Sequence, residues 1–196
     1  MTSPGQFAWS SRVLHWLMAA AVLAMLLVGG AMVTSLMSYQ KLVAIHRPLG
    51  ILILVLVIIR FVNRQLTALP PFLATMSPLE RLVAMTSERL MYLLMFALPL
   101  VGWGMLSAAR YPIVLYGPIH LPPILPQSAG LYTVLRSTHT ALAYLLFFMF
   151  MAHLSAVLFH TFVLRDGLLR RMAPWRARPR AARVSTPRPV GAQHAS

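Results

Sequence analysis

The chain has no cysteine, and its only acidic residues are Glu80, Glu88 and Asp166. Without thiols there is no disulfide framework, thiolate zinc site, iron–sulfur cluster or covalently attached c-type haem, so any metal has to be held by histidine, methionine or oxygen. None of the three acids lies inside an apolar run, which removes the carboxylate relays and cation cages on which ion-coupled transport usually depends. Charge as a whole is scarce. Only 10% of the 196 residues are charged and 59% are hydrophobic, against roughly a quarter charged in an average soluble domain. That balance reads as an all-α integral membrane protein.

A helix that crosses hydrocarbon needs about 20 mostly apolar residues. Four stretches qualify, at about residues 13–33, 42–62, 90–106 and 131–164. The first is longer than the roughly 7–15 apolar residues of a signal peptide and has a histidine near its start, so it is expected to be retained. Pro99 inside the third removes a backbone hydrogen bond and is expected to bend that helix. Residues 107–130 hold five prolines; they read as too broken for a helix and long enough to cap one face. Of the 17 Lys and Arg residues, 13 precede span one, lie between spans two and three or follow span four, while Lys41, Arg47, Arg110 and Arg136 fall on the other face. The positive-inside rule then puts both termini in the cytoplasm. Residues 1–172 form one four-helix transmembrane domain on this reading. Residues 173–196 are a basic tail expected to be disordered, touching anionic lipid rather than nucleic acid.

What the sequence does supply is histidine: His15, His46, His120, His139, His153, His160 and His194. Five of these fall within or at the ends of the spans. An ionisable side chain in hydrocarbon is costly, so each marks a functional position or a neutral imidazole bonded to a carbonyl, and five together without a membrane carboxylate favour ligation. His139 and His153 are 14 residues apart on span four, which is about 21 Å along a helix and within about 40° of one face. One iron cannot reach both, so the spacing suits two centres stacked across the membrane. His46 shares the outer level with His139. His15 shares the inner level with a span-four histidine, His153 or His160. Two bis-histidine sites between helices suit b-type haems, whose porphyrin supplies the equatorial nitrogens. Ala19, Gly50 and Ala143, one turn after three of the candidates, leave room for a flat macrocycle, although membrane helices use small residues for other reasons too. Arg60 lies 14 residues after His46 and so about 21 Å deeper on nearly the same face. It is placed either to pair with a haem propionate or to cap the positive end of span two.

Together these features resemble the bacterial di-haem cytochrome b561 family, in particular its four-span members that act as superoxide oxidases. The resemblance covers about residues 7–176 and rests on RVLHWLMA around His15, IHRPLGILILVLVIIRFVNR around His46, ALPLVGWGM in span three, and HTALAYLLFFMFMAHLSAVLFH followed by DGLLRRMAPWR. It implies a four-helix bundle with two haem b groups, the outer on His46 and His139 and the inner on His15 and His153, with His160 near a ubiquinone. Span three carries no histidine; Ser87 and Glu88 stand near the place where some members have one.

The implied function is an oxidoreductase of the bacterial inner membrane that passes electrons from periplasmic superoxide through two haems to ubiquinone. Lys41, Arg47, Arg110 and Arg136 would serve it by concentrating a small anion at the outer mouth, or would be boundary residues snorkelling to the headgroups. Trp16, Tyr92, Trp103 and Tyr144 line electron or quinone paths on the one reading and are interface anchors on the other. His120 sits in the outer loop, as a proton shuttle or simply exposed. Two other classes are a cytochrome b anchor passing electrons between a partner dehydrogenase or hydrogenase and quinone, and a histidine-rich metal transporter. The transporter would show no haem absorbance.

Overall fold

The computed structural model describes residues 5–73 and 75–173. Four long helices dominate it: α1 (Trp9–Thr34), α2 (Tyr39–Leu66), α3 (Pro78–Ala108) and α4 (Ala129–Phe159), the last prolonged by a π-helical turn over His160–Leu164. Each is long and apolar enough to cross a membrane. Large side chains such as Leu27, Leu93 and Phe148 point outward, as expected of helices whose outer faces meet lipid rather than water.

All four helices reach beyond the apolar runs, and α3 does so most. Its start is set by a cap rather than by hydropathy: the Ser77 side chain accepts from the Glu80 backbone N–H, and the Glu80 carboxylate accepts from the Ser77 N–H at 2.7 Å, with Pro78 in the first turn. This reciprocal box satisfies donors that would otherwise be orphaned. The extension brings Glu88 into the helix. The helix also continues through Pro99 to Ala108. It ends where Arg110 adopts a left-handed conformation (φ 54°), with Tyr111 N–H bonded to the Leu106 carbonyl at 3.0 Å and Arg110 N–H to that of Ser107 at 3.1 Å. Glycine normally takes that position.

The proline-rich connection is not irregular throughout. It folds as an antiparallel hairpin, β1 (Ile113–Tyr116) and β2 (Ile119–Leu121), turning at Gly117 with φ 51°. Pro112 and Pro118 flank β1, where their lack of an N–H costs no ladder bond. Trp103 Nε1 donates to the Pro122 carbonyl at 2.9 Å, and the buried Ser107 hydroxyl accepts from Ile124 N–H at 3.1 Å. The loop is thereby strapped onto the end of α3.

Packing runs α1 on α2, α2 on α3 and α3 on α4. The buried core is a belt of Met18, Ala21 and Val22 from α1, Ile53, Leu54 and Val57 from α2, Leu94, Met95 and Leu98 from α3, and Leu146 from α4. Leu146 is the only buried residue of α4. At the far end from the hairpin, Phe7 N–H bonds the Arg171 carbonyl and Trp16 Nε1 bonds that of Met172 at 2.8 Å, while a short helix α5 (Leu168–Met172) follows left-handed turns at Arg165 and Gly167. The beginning and end of the described chain therefore meet at one end of the bundle. The basic tail, except for Ala173, and His194 lie outside the described residues.

Candidate functional site

The four helices bring together two pairs of imidazoles. His46 of α2 faces His139 of α4 with ring centres 6.1 Å apart and planes at 66°. His15 of α1 faces His153 of α4 at 6.4 Å and 62°. Two imidazoles sharing one metal through bonds of about 2 Å, each nitrogen roughly 1.1 Å from its ring centre, have centres about 6 Å apart. Both pairs have the spacing that a shared metal requires. Among the described residues no cluster of three or more His, Cys, Asp or Glu forms, so a metal between either pair takes its remaining ligands from elsewhere. A macrocycle with four equatorial nitrogens meets that need. In addition, Nδ1 of His46 is buried without a hydrogen-bond partner among the described residues. A buried polar group is seldom left so unless the site serves something besides packing.

The two levels are separated by the apolar belt. Leu146 lies midway between His139 and His153 along α4, and the levels are about 21 Å apart on that helix. Because α4 buries only Leu146, it touches the bundle closely at mid-depth and leaves its histidine levels half-buried.

Neighbouring residues differ between the levels. At the outer one, α3 passes close to His139 because residue 102 is glycine: a Cβ there would lie 3.2 Å from His139 Cε1. Gly50 lies toward α1 instead. A Cβ there would lie 3.6 Å from Met25 of α1, an ordinary contact, so α1–α2 packing does not by itself demand glycine. At the inner level Arg60 donates through Nη1 to His15 Nδ1 at 2.9 Å and through Nε to the Tyr92 hydroxyl at 2.8 Å. Arg64, one turn on, pairs with Glu88. Phe7, Ser11, Arg60, Asn63, Arg64 and Tyr92 surround a small cavity of about 20 Å³ beside them.

His160, which depth alone leaves open as a partner of His15, is turned elsewhere. Its Nδ1 lies 2.5 Å from Asp166 Oδ2, and Asp166 Oδ1 accepts from Leu168 N–H at 3.0 Å. Burial pushes the Asp166 carboxyl up, but the hydrogen bonds from His160 and Leu168 outweigh it and hold the group below its ordinary value.

The outer cations are only partly gathered. Arg47 donates to the Pro112 carbonyl at 3.3 Å, which brings it to the segment that Arg110 begins. Arg136 bonds the Tyr132 hydroxyl of its own helix at 3.1 Å, and Lys41 is exposed and forms no ion pair among the described residues. Trp16 and Trp103 tie down chain ends and loops, Tyr144 is exposed, and His120 is exposed on β2. Sequence reasoning did not single out Gly102 or Asp166. Only the acid six residues beyond a histidine gave any signal of the latter.

Comparison with known proteins agrees with this architecture. The prokaryotic cytochrome b561 family matches residues 6–175. Cytochrome b561 homolog 2 of Escherichia coli is 30% identical over 173 residues, covering 87% of this chain and 92% of the relative. The probable superoxide oxidase CybB of Yersinia pestis is 33% identical over 138 residues, 70% of this chain and 78% of that protein. Cytochrome b561 homolog 1 of Escherichia coli is 23% identical over 174 residues, 87% and 98% of the two chains.

Proposed function

The chain belongs to the prokaryotic cytochrome b561 family, bacterial membrane proteins that bind b-type haem and transfer electrons, and on that premise we propose that it is a di-haem superoxide:ubiquinone oxidoreductase. His46 and His139 hold the outer group and His15 and His153 the inner one. Haem supplies the one-electron redox chemistry. Everything else is the protein's: two pairs of imidazoles that would hold the groups, an apolar belt between the levels, and flanking charge.

The net reaction takes two superoxide anions, one ubiquinone and two protons to two dioxygen and one ubiquinol. Superoxide is small and anionic, so a positive outer mouth raises its local concentration. Arg47, bonded to the Pro112 carbonyl two residues beyond Arg110, supports that role, together with the exposed Lys41, Arg110 and Arg136. Among the described residues most of the Lys and Arg lie toward the inner end, which is in the cytoplasm on this reading. There His160, paired with Asp166, flanks the quinone.

The observation that carries the proposal is the pair of ring separations, 6.1 and 6.4 Å, at two levels of one bundle. Rapid mixing of the oxidised holoprotein with superoxide, with and without a soluble ubiquinone analogue, tests it. Fast haem reduction coupled to quinol formation is expected. Slow reduction by superoxide and fast reduction only by a partner protein would reassign the chain as a membrane anchor for a dehydrogenase or hydrogenase.

A further inference from the structure

The two histidine levels are electrostatically unequal, and the difference is most direct at Arg60. Arg60 is half-buried between helices and touches the inner ligand His15 directly, at 2.9 Å. Its guanidinium is held by the Tyr92 hydroxyl at 2.8 Å and sits 5.5 Å from the centre of the Tyr92 ring. The nearby carboxylate, Glu88, is taken by Arg64, and Arg60 forms no ion pair among the described residues. Its charge is therefore neither neutralised nor fully solvated. The outer cations stand otherwise: Lys41, Arg110 and Arg136 are exposed, and Arg47, half-buried and next to His46 in the chain, directs its guanidinium to the Pro112 carbonyl at the surface rather than to a ligand ring.

Reduction of a ligated iron adds one negative charge at the centre. A fixed cation nearby favours the reduced form, strongly where the surroundings are apolar and weakly where water and salt screen it. We propose that Arg60 sets the direction of electron flow, by raising the midpoint potential of the inner haem above that of the outer one so that electrons run downhill from the outer face to the inner. This rests on the di-haem reading above. Arg60 acts as a positioning and tuning residue, through its field at His15, and is not itself a ligand.

Its contact with His15 sharpens the test. Guanidinium has no acceptor, so His15 Nδ1 accepts the bond and the ring proton is on Nε2. Were His15 to hold a metal through Nε2, its ring proton would sit on Nδ1 and this bond would be lost, while Tyr92 would still hold the guanidinium at the same level. If Arg60 instead kept Nδ1 deprotonated, the ligand would become imidazolate-like and the inner potential would be lowered, the opposite sign.

The experiment is an optical redox titration of the purified holoprotein, with the two potentials assigned from a His139→Ala variant that retains only the inner haem. Haem per chain is measured first: fewer than two refutes the di-haem reading and is distinct from failure of this inference. With two haems present, Arg60→Gln should lower the inner potential enough to shift the electron distribution between the haems at least tenfold, which is about 59 mV for one electron. The outer potential should not move. Tyr92→Phe, which loosens the guanidinium, should lower the inner potential by less. Should Arg60→Gln lose the inner haem, Tyr92→Phe decides alone: a fall supports the proposal. An inner potential that is unchanged or raised in these variants overturns it.

Discussion

The Arg12 side chain, 4% exposed, donates through Nη1 to the backbone carbonyl of Ala173 at 2.9 Å and so joins the first turn of α1 to the last described residue. With the Phe7 and Trp16 bonds to Arg171 and Met172, and Arg171 Nε on the Gly5 carbonyl at 2.8 Å, it closes the end of the bundle opposite the hairpin. A charged donor bonded to a buried carbonyl contributes about 1.5–3 kcal/mol. Arg12→Met should therefore lower stability by about 2 kcal/mol, read as a shift in thermal unfolding in detergent. An unshifted transition would show that the strap is not part of the cooperative unit.

The haem sites should respond separately. On the proposed di-haem reading, in which each pair shares one metal, His46→Ala or His139→Ala should reduce the haem content from two per chain to one and spare the inner site, while His15→Ala or His153→Ala should do the reverse. His160→Ala should retain both. Pyridine haemochrome assays with redox spectra read this, and loss of the inner haem in His160→Ala would transfer the ligand role to that residue.

Gly102→Ala tests the closeness of α3 to the outer site. The added carbon would meet His139 Cε1 at 3.2 Å, and forcing that contact costs about 1–3 kcal/mol unless the ring moves. The expected result is weakened retention of the outer haem with the inner one unaffected, measured by haem loss to apomyoglobin. Gly50→Ala, at 3.6 Å from Met25, should retain both.

Steering of the anionic substrate should depend on salt. Neutralising Arg47 and Arg110 together, as Arg47→Gln with Arg110→Gln, should slow haem reduction by superoxide severalfold at low ionic strength, and the difference from the unaltered protein should shrink as the Debye length falls to about 8 Å at physiological salt. Stopped-flow rates across a salt series check this. Equal rates at low salt would assign the two arginines to the membrane boundary instead.

Asp166 gives a pH dependence. Its carboxyl titrates lower in the folded chain than its ordinary value of about 3.9, and this follows from the hydrogen bonds that outweigh burial. A group depressed on folding stabilises the folded state above its unfolded pKa and loses that contribution as the pH falls through the folded one. Asp166→Asn should thus be the less stable protein at pH 7, with the gap closing only below about pH 4. Thermal unfolding at several pH values measures it; a gap that is absent at pH 7 would show that the Asp166 contacts do not stabilise the fold.

Several features were legible in the chain itself. Four apolar runs fixed the number of spans, and the 14-residue spacings of His139 to His153 and of His46 to Arg60 fixed two depths, since rise per residue is a local property of a helix. The cap that starts α3 is also written locally, in Ser77 and Glu80, but hydropathy obscures it because the first turns are polar. The hairpin was hidden by prolines that flank β1. Tertiary structure decided what rotation decides. These helices are apolar on nearly every side, so no polar face in the sequence fixes how each turns about its own axis. Only packing on the central belt does that. It sets His153 rather than His160 opposite His15, turns His160 to Asp166 through the left-handed Arg165, and brings Gly102 beneath His139 and Arg60 against His15.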